Sequence, residues 1–366
     1  MPKPSLTEKD ARSALRGFFR EKPLIFFGTG VSCSLDSRFG MGALKDALLS
    51  KIDENNLNSI QKNEWNNVKR LLKNNTDLES SLNDVTDSGL IEEIVLNTGS
   101  FIAALDKEQS FRIAKNQVRW PATEIIKKIL EHTPETDRVV HVITPNYDML
   151  FEYACESAAI EYTNGFIGGI HKKIDWYAAT RAMQISEKSS FGKRTKSTTK
   201  NKRHIRLYKV HGSLNYFYHS EKVIENNAWA WNPPDFTKRV IITPGISKYE
   251  MLQLYRKELL SYADDAIEKS NHFLFIGYGF NDNHLEEYIR RKLITHACHG
   301  LIITRGINDK VKSLIKEAEN LWVVCAANEE HPDNTLILNN KYENTLEISR
   351  QRLWDIQQFT NAILGE

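Results

Sequence analysis

Several things are scarce in this sequence, and each scarcity removes a class of protein. Four cysteines, Cys33, Cys155, Cys298 and Cys325, are scattered over 366 residues, and none stands in a C-x-x-C pair. A zinc site built from paired cysteines is therefore excluded, no metal site is expected, and a disulfide framework is not indicated. Free thiols suit a reducing cytoplasm. An excess of one charge is missing too. Lys+Arg 49 against Asp+Glu 47 leaves a formal net charge of +2, so no global field steers the chain to nucleic acid or to a membrane. No apolar run approaches the roughly 20 residues that span a bilayer. The opening MPKPSLTEKDARSALRGFF has neither the apolar core nor the small-residue cleavage site of a signal peptide. The expectation is a cytoplasmic chain with no membrane partner. No internal repeat is visible.

What is present reads as an ordinary globular chain, 41% hydrophobic and 26% charged. Its length fits one large α/β domain with insertions, or two domains. The most telling stretch comes early. Leu24-Ile25-Phe26-Phe27 is a continuous apolar run, the pattern of a parallel strand buried on both faces. Gly28-Thr29-Gly30 follows at once, then Ser32. Gly-x-Gly after such a strand is a turn where backbone can approach a pyrophosphate. A full G-x-G-x-x-G would need glycine where Cys33 stands. Taken alone, the turn is equally a structural loop.

The rest of the chain supplies more strands of the same kind. Residues 5 to 20 are expected as a helix with Ser5 as N-cap and Glu8 at the capping-box position. Residues 53 to 132 carry helical spacing throughout, as in Trp65, Val68, Leu71 and Leu72, with Pro121 suited to a first helical turn. Apolar runs then recur at 138–144, 205–210, 240–242, 272–276, 301–304 and 321–325, with helices between them, including a long one over 249–269. The tail is expected to close with a helix over 347–364. Strands alternating with helices predict an α/β fold, a doubly wound Rossmann-like parallel sheet with a helical insertion. The expected division is 1–52 for the first strand and phosphate turn, 53–135 for the helical insertion, 136–325 for the remainder of the Rossmann-like domain, and 326–366 for a helical tail. Between Lys172 and Lys209, twelve Lys or Arg face only Asp175 and Glu187. The Ser/Thr-rich stretch 186–203 within it has no periodicity and reads as a solvated surface loop. A phosphate-backbone contact is the alternative, though interleaved aromatics are sparse there.

Polar residues gather just past the strands. Thr144-Pro145-Asn146-Tyr147-Asp148 ends the second run, Val210-His211-Gly212 the third, and Gly277-Tyr278-Gly279-Phe280-Asn281-Asp282 the strand at 272–276. In an open parallel sheet these ends share one edge, where ligands bind. Each residue also has a structural alternative. Asn146 and Asp148 are good helix N-caps, and His211 could be a buried histidine bonded to backbone.

In order, GTGVS, TPNYD, VHG and IGYGFND resemble the sirtuin-like family, in particular its bacterial antiphage-defence branch, over about residues 23 to 325. The resemblance implies NAD+ as substrate. By this resemblance Gly28, Thr29, Gly30 and Ser32 hold the phosphates, with Thr29 where many relatives have alanine. Asn146 orients the ribose and the attacking water, and Asp148 accepts from the nicotinamide amide. His211 is the general base, a role that imidazole often fills. Gly277, Gly279 and Asn281 contact the adenosine half. Cys33, beside the turn, is expected to pack as a small apolar residue.

One departure matters. Deacylases of this family usually carry a zinc ribbon with two C-x-x-C pairs, and this chain has none, so no zinc is expected. That favours NAD+ glycohydrolysis to nicotinamide and ADP-ribose, as in the NAD-depleting effectors of abortive infection. The rival readings are an NAD or ADP-ribose-binding regulatory module without turnover, and a protein deacylase or ADP-ribosyltransferase. The resemblance also implies control by assembly, as a homo-oligomer or with a separate partner such as a HerA-type hexameric ATPase or a nucleic-acid-guided protein.

Overall fold

The computed structural model describes residues 3–191, 194–243, 259–280, 283–296, 298–328 and 330–365. Helix α1 (Glu8–Phe18) leads into β1 (Leu24–Phe27), and α2 (Thr29–Leu35) starts directly on the glycine turn. Helices α3 (Met41–Lys51), α4 (Ser59–Lys73), α5 (Leu78–Ser81), α6 (Ser88–Ala114) and α7 (Thr123–Glu131) precede β2 (Val139–Thr144) and α8 (Leu150–Ser157). The middle of the chain holds β3 (Tyr162–Thr163), β4 (Phe166–Gly168), β5 (Lys172–Ile174), α9 (Trp176–Ala182), β6 (Gln184–Phe191) and β7 (Arg194–Asn201). After them come β8 (His204–Lys209), β9 (Gly212–His219), β10 (Lys222–Glu225) and β11 (Lys238–Ile241). The last third runs α10 (Ser261–Lys269), β12 (His272–Ile276), α11 (Asn283–Thr295), β13 (His299–Ile303), α12 (Asp309–Glu317), β14 (Leu321–Ala326), β15 (Thr335–Leu338), β16 (Leu346–Ile348) and α13 (Ile356–Leu364).

The main sheet has nine strands in the order β16-β15-β14-β13-β12-β1-β2-β8-β3. From β14 across to β3 neighbouring strands run parallel, and β15 and β16 add to the edge antiparallel. The alternation of side chains explains why the strands read as continuous apolar runs. Ile25, Phe27, Val140, Val142, Leu274 and Ile276 face a core shared with α1, α7, α8 and α13. Leu24, Phe26, Ile143, Phe273 and Phe275 face a second core shared with α10, α11 and α12. Both faces of the central strands are covered, so their interior positions are mostly apolar, and His141, Arg206 and Lys209 are exceptions. Phe26 stacks on Phe275 at 5.0 Å between centroids across the β1–β12 pair. Burying one such ring is worth about 1.5–3 kcal/mol. The expected doubly wound α/β architecture is therefore present.

Helix α6 joins the parts of the molecule. Its N-cap Asp87 accepts from Leu90 N and from Gln61 Nε2, and Gln61 also closes the capping box of α4 with Asn58. Its first half, through Leu90 and Ile94, packs with Trp65, Val68, Leu78 and Leu82 in a small satellite core. Its second half, through Ile102, Ala103, Leu105 and Ile113, enters the main core. By length and composition alone α6 is the one described helix apolar enough to cross a membrane. Leu90, Ile94, Ile102, Ala103, Leu105 and Ile113 pack in the two cores, while Leu96 and Phe111 are exposed.

Several expectations need correcting. Thr7, not Ser5, caps α1, and the Ser5 hydroxyl donates to Asn344. The run at 240–242 joins a second, antiparallel sheet, β11-β9-β10-β5-β4, and not the parallel one. The basic stretch is no loop. β6 and β7 form a two-stranded antiparallel ribbon from Gln184↔Asn201 to Phe191↔Arg194. The tail is not simply helical, since β15 and β16 extend the main sheet before α13 begins at Ile356. Of the long helix expected over 249–269, only the part from Ser261 on lies within the described residues.

Candidate active site

Strand order sets the location. The chain leaves β1 for β2 on one side and returns later to β12 on the other. β1 is thus the point where the winding reverses, and a crevice opens beyond the carboxyl ends there. A cleft of about 930 Å³, counting its open mouth, sits at that place. Gly28 and Thr29 after β1, Asn146 and Asp148 after β2, His211 after β8 and Gly279 after β12 all line it. Phe39, Met41, Leu44, Glu79 and Ile102 from the helical region between β1 and β2 close its far wall. Hydrogen bonds hold the strand ends together. Thr144 Oγ1 donates to Phe27 O at 2.9 Å, and Val210 N to Thr144 O at 3.1 Å.

The two glycine turns are locked to each other. Gly30 N donates to Gly277 O at 3.0 Å. A Cβ on Gly28 would stand 2.3 Å from Gly277 O, and one on Gly30 would stand 2.8 Å from Gly277 Cα. Gly277 itself has φ +59°. These glycines are required by the contact between neighbouring turns, before any ligand is considered.

Asn146 is held by the opening turn. Its Nδ2 donates to Gly28 O at 3.1 Å and to Ser32 Oγ at 3.3 Å, while Thr29 Oγ1 donates to its Oδ1 at 3.4 Å. Asp148 is buried at the start of α8. Its Oδ1 accepts from Leu150 N at 3.2 Å, which is the capping role, and its Oδ2 accepts from Ser32 Oγ at 2.8 Å. Burial raises the Asp148 pKa, against the lowering effect of Lys209. Ser32 departs from expectation. It is buried, does not line the cleft, and spends its hydroxyl on Asp148 and Asn146. Gly30 and Gly277 also stand behind the cleft wall. Asn281 lies outside the described residues. Cys33 packs against the main core, and burial, then Asp148, pushes its thiol up to about 11, which leaves it protonated at neutral pH.

His211 is buried beside this group, at the junction of the two sheets. Its carbonyl accepts from Ile242 N at 2.9 Å, and Tyr147 donates its hydroxyl to Ile242 O at 2.8 Å. Gly212, at φ +81°, turns the chain straight from β8 into β9, and a Cβ there would lie 1.9 Å from Val240 O. That sharp turn delivers the imidazole to the cleft.

A buried ion pair beneath the site was not legible in the sequence. Lys209, fully buried on β8, donates to Asp148 O and to Glu152 Oε1, the latter at 3.0 Å. It fixes the Asp148 backbone and offsets the charge of two carboxylates. A lysine at a strand end carries no sequence signal for this, since most are solvated. Among the described residues no group of three or more His, Cys, Asp or Glu is arranged to hold a metal ion.

Compared with protein families, the chain matches a SIR2-like domain over residues 140–323. That span contains Asn146, Asp148, His211 and the turn after β12, and begins beyond the Gly28 turn. Compared with curated proteins, it finds no match.

Proposed function

The chain belongs to the SIR2-like domain family, which includes NAD-dependent enzymes, and from that premise we propose that it cleaves NAD+ to nicotinamide and ADP-ribose. The observation that supports this reading is the convergence of Thr29, Asn146, Asp148 and His211 on one cleft at the reversal point of the sheet. In the proposed reaction the bond between ribose C1′ and the nicotinamide nitrogen breaks, and its electron pair leaves with nicotinamide. The sugar passes through an oxocarbenium-like state. Asn146 and the buried Asp148 stabilise that developing positive charge electrostatically. Water adds at C1′, its proton goes to His211, and ADP-ribose is formed. Asn146 cannot turn freely, because three contacts to the opening turn fix its amide, and this pre-set geometry lowers the entropy lost on reaching the transition state. Gly28, Thr29, Tyr278 and Gly279 border the space proposed for the pyrophosphate and adenosine half.

Hydrolysis is favoured over protein deacylation because the four cysteines stand apart in sequence and Cys155, Cys298 and Cys325 are buried singly. The proposed setting is an NAD-depleting effector of antiphage defence in the bacterial cytoplasm. It would be held in check by self-assembly or by a separate partner such as a HerA-type ATPase. Incubation of the purified chain with NAD+ tests the reaction, with and without an acetyl-lysine peptide. Nicotinamide and ADP-ribose in equal amounts, independent of the peptide, are expected. Release that requires the peptide overturns hydrolysis in favour of deacylation.

A further inference from the structure

The insertion helix α6 places one acid where the reaction loop turns. Asp106 is fully buried in its second half. Its Oδ1 accepts from Met149 N at 2.6 Å, one residue after Asp148. Its Oδ2 accepts from Trp231 Nε1 at 2.7 Å and from Ser110 Oγ at 3.4 Å. Trp231 belongs to the segment between β10 and β11 and stacks on Tyr153 of α8 at 6.3 Å. One carboxylate thus joins three parts of the molecule: the helical region, the end of β2 and the connection in the second sheet. Met149 N and Leu150 N are the first donors of α8, and Asp106 and Asp148 take one each. Two acids at one helix start are favoured by its dipole, yet they repel each other, and Lys209 lies close enough to offset them.

We propose that Asp106 is a positioning residue, through which α6 and Trp231 hold the Asn146–Asp148 loop in its reactive geometry. The inference rests on the hydrolase reading for its catalytic consequence, but not for its structural one. A carboxamide at this place offers an oxygen to only one of the two N–H groups, and turns its own N–H against the other. Asp106→Asn therefore releases either Met149 or Trp231.

The test uses the full chain with Asp106→Asn and Asp106→Ala, and Trp231→Phe as a third variant that keeps an aromatic side chain and removes the indole donor. Hydrogen exchange at residues 145–151 is read beside α7 and α13, and NAD+ cleavage is measured in parallel. Exchange in the loop is expected to rise about tenfold or more in Asp106→Asn, with α7 and α13 unchanged. kcat is expected to fall about 100-fold with KM within about threefold, the signature of misplacement rather than lost affinity. Trp231→Phe should fall between wild type and Asp106→Asn. Unchanged loop exchange overturns the proposal, as does a rise shared equally by α7 and α13. If wild type leaves NAD+ intact, the hydrolase reading fails, and the exchange measurement still decides the positioning role.

Discussion

At the scale of single residues, glycine and aspartate have the sharpest consequences. Gly28 and Gly30 suggest a phosphate turn in sequence, but their nearest constraint is the backbone of Gly277. Gly28→Ala drives a methyl into Gly277 O and is expected to cost about 1–3 kcal/mol of stability. Gly42 is the contrast. It lies in α3, and a Cβ there meets nothing within 4 Å, so Gly42→Ala should stabilise by about 0.5–1 kcal/mol. Urea unfolding of the two variants reads both signs. Asp106 gives a pH prediction. Burial pushes its folded-state pKa up to about 7, far above the roughly 3.9 of an exposed aspartate. Between those values the unfolded chain has released a proton that the folded chain keeps. Stability contributed by that proton is full below about pH 4 and is lost as pH rises through 7, with a limiting slope of about 1.4 kcal/mol per pH unit. Asp106→Asn should flatten this component in melts taken from pH 4 to 8. An unchanged slope would place the titration elsewhere.

At the scale of elements, what could be read from sequence follows burial. β1, β2, β8, β12, β13 and β14 are packed on both faces, and each shows as an apolar run. β11 shows the same kind of run in Val240-Ile241-Ile242, yet pairs antiparallel with β9. A run of apolar residues reports burial and says nothing of strand direction. The ribbon β6–β7 was invisible for the opposite reason. Among the described residues its strands pair only with each other, so no neighbouring sheet fixes an alternation on Gln184 to Asn201. Its pairing is local, so replacing residues 185–200 by a short Gly-Ser turn should leave the thermal midpoint within about 2 °C of wild type, a change of less than 1 kcal/mol. A larger drop would mean that the ribbon braces the sheet. In the site, Asn146, Asp148 and His211 were legible because they follow apolar runs. Asp106 was not, because an acid in mid-helix normally faces water, and only the packing of α6 on α8 turns it inward. Ser32 reads from the sequence as a phosphate-turn residue, and the sequence cannot show that its hydroxyl points at Asp148 instead.

At the scale of the whole molecule, one arrangement ties these parts together. The sheet reverses its winding at β1, so the ends of β1, β2, β8 and β12 converge on one crevice. The helical region between β1 and β2 walls that crevice with Met41, Leu44, Glu79 and Ile102, and its Asp106 accepts from Met149 N, next to Asp148. The second sheet approaches through the Gly212 turn and the Tyr147–Ile242 bond. These bodies meet at the turn that carries Asn146 and Asp148, through Asp106, Trp231 and Tyr147. The central claim remains the chemistry at that loop, and turnover of NAD+ by wild type, Asn146→Ala and His211→Ala, separated by chromatography, tests it most directly. The account predicts nicotinamide and ADP-ribose from wild type, and losses of about 100-fold or more in both variants with circular dichroism and melting unchanged. Full turnover by either folded variant would contradict it.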